Sequence, residues 1–145
     1  MKTPHFQSFL DDSEADAGPA RLTALRKAIS GAQLNGFLVP RSDVHQGEYV
    51  AKRDERLAWL TGFTGSAGFC AVLPDVAGVF VNGRYGVQVK VQPNAIFTPV
   101  HCPETTLPTW LQKNLQTGTT GFDPGLQSWG GIKPPPAASG QNGIQ

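Results

Sequence analysis

The chain has 145 residues, 39% of them hydrophobic and 16% charged, with 17 glycines and 12 prolines. That length suits one domain, which buries roughly 68–70% of its unfolded surface and so carries a core of its own. A formal net charge of +1 gives no field that would draw the chain to nucleic acid or an anionic membrane, and neither is expected as a partner.

Residues 1–18 read as an N-terminal arm. Asp11, Asp12, Glu14 and Asp16 crowd there with little periodic apolar content, and Phe6, Phe9 and Leu10 are the side chains able to dock it. The segment lacks a signal-peptide core, and no run in the chain reaches the length of a membrane span. A reducing, cytoplasmic location follows as the default.

The domain itself is expected over 19–128. Pro19 suits the first turn of a helix. Leu22, Leu25, Ala28, Ile29 and Ala32 then recur at helical spacing, with Arg21, Arg26 and Lys27 on the other face. Asn35-Gly36 is expected to end that helix. Phe37-Leu38-Val39 reads as a short buried strand stopped by Pro40. Residues 41–55 form a polar loop with a helical turn near Glu48-Tyr49-Val50, and a short helix covers Asp54 to Leu60.

Two apolar runs, Phe69 to Leu73 and Gly78 to Val81, flank Pro74-Asp75-Val76-Ala77 and predict a hairpin. Neither alternates, so both faces of each strand are expected to be covered. Arg84 to Gln92 is assigned to a helix and Ala95-Ile96-Phe97 to a strand. Thr105 or Thr106 caps a helix through Trp110, Leu111 and Leu115, and 119–122 is the last strand. Residues 129–145 read as a Gly/Pro-rich tail or linker, with a polyproline stretch at Pro134-Pro135-Pro136.

Few residues point to chemistry by themselves. The run Gly62-Phe63-Thr64-Gly65-Ser66-Ala67-Gly68 is not a phosphate loop, since no Lys follows at the required spacing and a strand comes next. It is not a nucleophile elbow either, because Thr64 stands where that motif needs Gly. Its glycines are read as allowing tight turns and close packing. Asp43, His45 and Glu48 match no metal-ligand spacing and are read as a solvated loop. A polar loop after a strand's carboxyl end is nevertheless where α/β sheets present ligand contacts, so His45 is a candidate substrate-rim residue.

Arg84, expected at a helix N-terminus where the dipole disfavours a cation, is assigned either to a carboxylate partner or to a ligand or interdomain contact. Trp59 and Trp110 are expected in the core, and His5 and His101 in solvent. Cys70 reads as a buried hydrophobe. Cys102 lies in a loop with only His101 to activate it.

The combination Trp59-Leu60-Thr61-Gly62-Phe63-Thr64-Gly65-Ser66-Ala67-Gly68, then Gly83-Arg84-Tyr85, then Gly121-Phe122-Asp123-Pro124 resembles the N-terminal domain of the creatinase/prolidase/aminopeptidase P family. The likeness runs from about Arg21 to Trp129. With His45-Gln46 and Glu48-Tyr49 it is most similar to the Xaa-Pro aminopeptidase branch.

The resemblance implies an α/β domain with a mixed β-sheet flanked by helices, of ribonuclease-H-like topology. It implies a parent enzyme that releases an N-terminal residue preceding proline, from peptides with proline at the second position. It further implies a dinuclear manganese centre, in a C-terminal catalytic domain of the same protein, that activates the attacking water. This chain is expected to lack the metal ligands and to have no catalytic residue. It would wall the cleft and support homo-oligomer contacts. Two departures from the family pattern stand out: Asn82 replaces the usual Asp, and 130–145 do not look like the helix that normally follows Asp123-Pro124. The alternatives are a free-standing protein-binding module, or the N-terminal domain of creatinase or prolidase.

Overall fold

The computed structural model describes residues 13–126. The expectations for Phe6, Phe9 and Leu10 of the arm and for the tail 129–145 lie outside these residues.

The elements in chain order are α1 (Gly18–Gly31), β1 (Gly36–Pro40), α2 (Arg56–Thr61), β2 (Phe69–Val72), β3 (Ala77–Asn82), α3 (Gln88–Val91), β4 (Phe97–Cys102), α4 (Leu107–Asn114) and β5 (Thr120–Phe122). The five strands form one mixed sheet in the order β4-β3-β2-β1-β5. β1, β2 and β3 are antiparallel neighbours. β4 joins β3 and β5 joins β1 in parallel. The mixed α/β expectation holds.

Strand alternation explains the two cores. Val39, Cys70, Val72, Val79 and Val81 face α1, α2 and α3, where Leu22, Ile29, Leu57, Leu60 and Val89 close over them. Leu38, Ala71 and Phe80 point the other way, against Trp110 and Leu111 of α4. The sheet is therefore buried on both sides, as the lack of alternation implied.

Several boundaries differ from the sequence reading. α1 stops at Gly31, and the exit is made by Gln33 at φ 58° with Leu34 N–H donating to Ile29 O at 3.0 Å. Gly36 is instead the first residue of β1. The turn expected near Glu48 is absent, and a 3-10 turn forms at Lys52–Asp54 just before α2. The helix expected over 84–92 is split into a 3-10 turn, Gly83–Tyr85, and the short α3.

β4 begins where the expected 95–97 strand was to end and runs on to Cys102. Its Pro99 has no N–H to give, which a strand with only one neighbour tolerates. Cys102 consequently ends a strand instead of lying in a loop. His101 is half-buried, not simply exposed.

Candidate functional site

The register places the polar segments together. Pro40 pairs with Phe69, and Phe69 with Phe80. The loop after β1, the glycine loop before β2 and the turn after β3 therefore share one end of the sheet. β4 and β5 run parallel to β3 and β1, so their carboxyl ends arrive there too. This is the end at which open α/β sheets meet ligands.

Backbone geometry shapes the glycine loop. Gly62 ends α2 in the left-handed region at φ 82°, and a Cβ there would stand 2.7 Å from Ser13 Oγ and 2.9 Å from Ala15 Cα. Gly68 at φ 150° would bring a Cβ to 2.8 Å from Phe80 O. These glycines serve turn and packing, as read from the sequence. Thr61, fully buried, donates to Leu57 O at 2.7 Å and accepts from Phe63 N–H at 3.0 Å, fixing how the loop leaves the helix.

Around this loop lies a polar network. Arg41 Nη1 donates to Glu48 O at 2.7 Å and to Ser66 O at 3.0 Å. The Arg41 backbone N–H donates to Gly68 O at 3.1 Å. The Ser66 hydroxyl and the Tyr85 phenol are hydrogen-bonded. That bond, together with the Ser66 backbone and the adjacent Arg84 guanidinium, holds the Tyr85 phenol below its usual pKa. Tyr85 also meets Phe63 edge-on, with centroids 5.8 Å apart.

On the other flank, Ser42 Oγ donates to Leu126 O at 2.5 Å, and Arg56 pairs with Asp123 at 3.0 Å. A cavity of about 570 Å³ opens there, lined by Val39, Pro40, Arg56, Trp59, Asp123 and Leu126 among others.

Each sequence-selected residue has a definite place. His45 is exposed, on a turn made by its own N–H donating to Asp43 Oδ1 at 2.9 Å. Asp43 is 9% exposed, so it is not the solvated residue that was expected. With Asp43 folded back on the chain and His45 and Glu48 in solvent, the three form no metal cluster. Among the described residues no group of three or more His, Cys, Asp or Glu could hold a metal ion. A dinuclear centre therefore does not fit the side chains described.

Arg84 is exposed and makes no ion pair among the described residues, so no carboxylate there holds it. Its N–H donates to Asn82 Oδ1 at 3.1 Å, and Asn82 thus fills the capping role open to an Asp at that position.

Trp59 corrects the sequence reading. It is 55% exposed, because α2 turns Leu57, Leu60 and Thr61 inward. The Arg21 guanidinium lies 4.7 Å over its ring and donates to its carbonyl at 2.6 Å. Trp110 is buried as expected.

Cys70 is fully buried, and burial pushes its thiol far above the ordinary range. Cys102 is also raised, by burial and by Glu104, so neither influence favours its thiolate. The roles of Arg41 and the Ser66–Tyr85 bond escaped the sequence reading. The partners lie 25 and 19 residues apart, and neither pair has a spacing signal.

Fold and site together define a mixed-sheet α/β domain that gathers polar loops at one end of its sheet without assembling a metal centre among its described residues. The chain belongs to the creatinase/prolidase N-terminal domain family, whose pattern matches residues 21–133. It is 40% identical over 110 residues to Xaa-Pro aminopeptidase 2 of Homo sapiens, covering 74% of this chain and 16% of that protein.

Among solved structures it is similar to the X-prolyl aminopeptidase of Caenorhabditis elegans, described as a cytosolic enzyme with a di-nuclear active site. The TM-score is 0.70 at 28% identity, over 78% of this chain and 21% of that one. The N-terminal domain of a putative metallopeptidase from Corynebacterium diphtheriae shares the fold at TM-score 0.58 and 21% identity, over 77% of this chain and 79% of that one. The chain thus spans about a sixth of the length of the curated relatives it matches. No helix among the described residues is long and apolar enough to cross a membrane.

Proposed function

We propose that this chain is the non-catalytic N-terminal domain of a metal-dependent Xaa-Pro aminopeptidase. The likeness to the human aminopeptidase across most of this chain carries the reading. In it, residues 19–128 form the domain, 1–18 an arm and 129–145 a Gly/Pro-rich tail or linker. The domain walls the cleft of a catalytic domain carrying dinuclear manganese, takes part in homo-oligomer contacts and works in the cytoplasm. The peptide to be cleaved has proline at its second position.

His45 and Arg84 are the rim residues of this reading. Both are exposed at the polar end of the sheet, and neither makes an ion pair among the described residues. An exposed imidazole and an exposed guanidinium are suited to holding a peptide by hydrogen bonds at the edge of a cleft. Val87, which caps the start of α3, and Val91, its last residue, are 80% and 75% exposed and one helical turn apart, and Trp59 adds a third large apolar surface. Such surface is consistent with a domain that packs against another.

The test is direct. The purified chain, supplied with Mn²⁺ and an Xaa-Pro peptide, is expected to release no N-terminal residue above the buffer rate. Metal-dependent release by this chain alone would contradict the reading.

A further inference from the structure

We propose that Arg41 is a positioning residue that locks the loop bearing His45 and the turn bearing Arg84 into one rigid rim. The inference rests on the reading of His45 and Arg84 as rim residues, but its physical content belongs to this chain alone.

The geometry is continuous. One guanidinium nitrogen, Nη1, spends both of its N–H groups on two carbonyls from different segments, Glu48 O and Ser66 O. Glu48 closes the 43–48 loop whose turn presents His45. Ser66 sits in the glycine loop, and its hydroxyl engages the phenol of Tyr85, the neighbour of Arg84. Arg41 itself is anchored at the end of β1 through its N–H to Gly68 O. Thus a half-buried cation without an ion pair among the described residues ties together two loops without regular secondary structure and, through the Ser66–Tyr85 bond, the 3-10 turn that bears Arg84.

Charge-assisted hydrogen bonds to carbonyls are stronger than neutral ones, and a planar fork fixes direction as well as distance. Loops that would otherwise sample many conformations are therefore held in one, and a rim held in one conformation engages a peptide at a lower entropic cost.

The readout is the Tyr85 phenol, which reports whether Ser66 is held in place. The chain has two tyrosines, and Tyr49 is 91% exposed. Y49F therefore leaves Tyr85 as the sole phenol for an ultraviolet titration. The charged group beside that phenol is Arg84.

In the Y49F background, S66A sets the full upward shift of the Tyr85 titration. R41A is expected to give at least half of that shift, and R41K, which keeps the charge but not the fork, an intermediate one. Thermal melts establish that each variant is folded, and if R41A does not fold, R41K is read in its place. A folded Arg41 variant whose Tyr85 titrates as in the Y49F parent would overturn the proposal. The measurement needs no peptidase activity, so failure of the cleft reading leaves it intact, and its own failure leaves the cleft reading intact.

Discussion

Cys70 carries the pH dependence that can be argued for one side chain. Its thiol lies on the sheet face covered by α1 and α2, and burial raises its pKa from an ordinary value of about 9, with Arg26 pulling the other way. Above that pH the unfolded chain loses the Cys70 proton while the folded chain keeps it. Folding stability then falls as pH rises, by about 1.4 kcal/mol per pH unit from this group. Urea unfolding between about pH 9.5 and 10.5 is expected to show a steeper alkaline loss in the parent than in C70A by close to that amount, with the difference fading below about pH 8.5. Equal slopes would show that burial of this thiol is not what sets the alkaline limb. The burial itself was legible, because Cys70 sits inside an unbroken apolar run. Trp59 was not: its large apolar ring suggested a core position, but the turn of α2 and the Arg21 guanidinium hold it outside.

At the scale of elements, α4 is held by Trp110. The ring packs edge-on against Phe80 at 5.4 Å, and Gly78 lies so close beneath it that a Cβ there would stand 2.8 Å from Cζ2. Replacing Trp110 by Ala empties that space, which costs about 3–5 kcal/mol in cores of this kind. Against a typical domain stability of about 5–15 kcal/mol, W110A is expected to lower the urea midpoint severely. A midpoint within error of the parent would mean that α4 is not a structural part of the sheet's second face.

The β2–β3 hairpin, the Pro19 start of α1 and a threonine cap for α4 could all be read from local chemistry, the structure choosing Thr106 over Thr105 for the cap. β4 could not, because Pro99 and the polar neighbours of Val100 disguise a strand that only its parallel pairing with β3 creates. The end of α1 was misplaced for a related reason. Gly36 is the obvious stop, but the left-handed residue is Gln33.

At the scale of the whole molecule, the family was carried by motifs spread across the chain, and no one of them fixes a site. The polar end of the sheet comes from topology: strands distant in sequence bring their loops together there. His45 and Arg84 were picked out by residue type, while the Arg41 network that links their loops depends on contacts no spacing announces. The account's central claim is that this domain serves a longer peptidase. An antibody raised against the folded domain should detect, in an immunoblot of the cells that make it, a product several times heavier than 15.5 kDa that co-purifies with metal-dependent Xaa-Pro aminopeptidase activity. A product of 15.5 kDa with no such activity would contradict the claim and turn attention to a free-standing binding module.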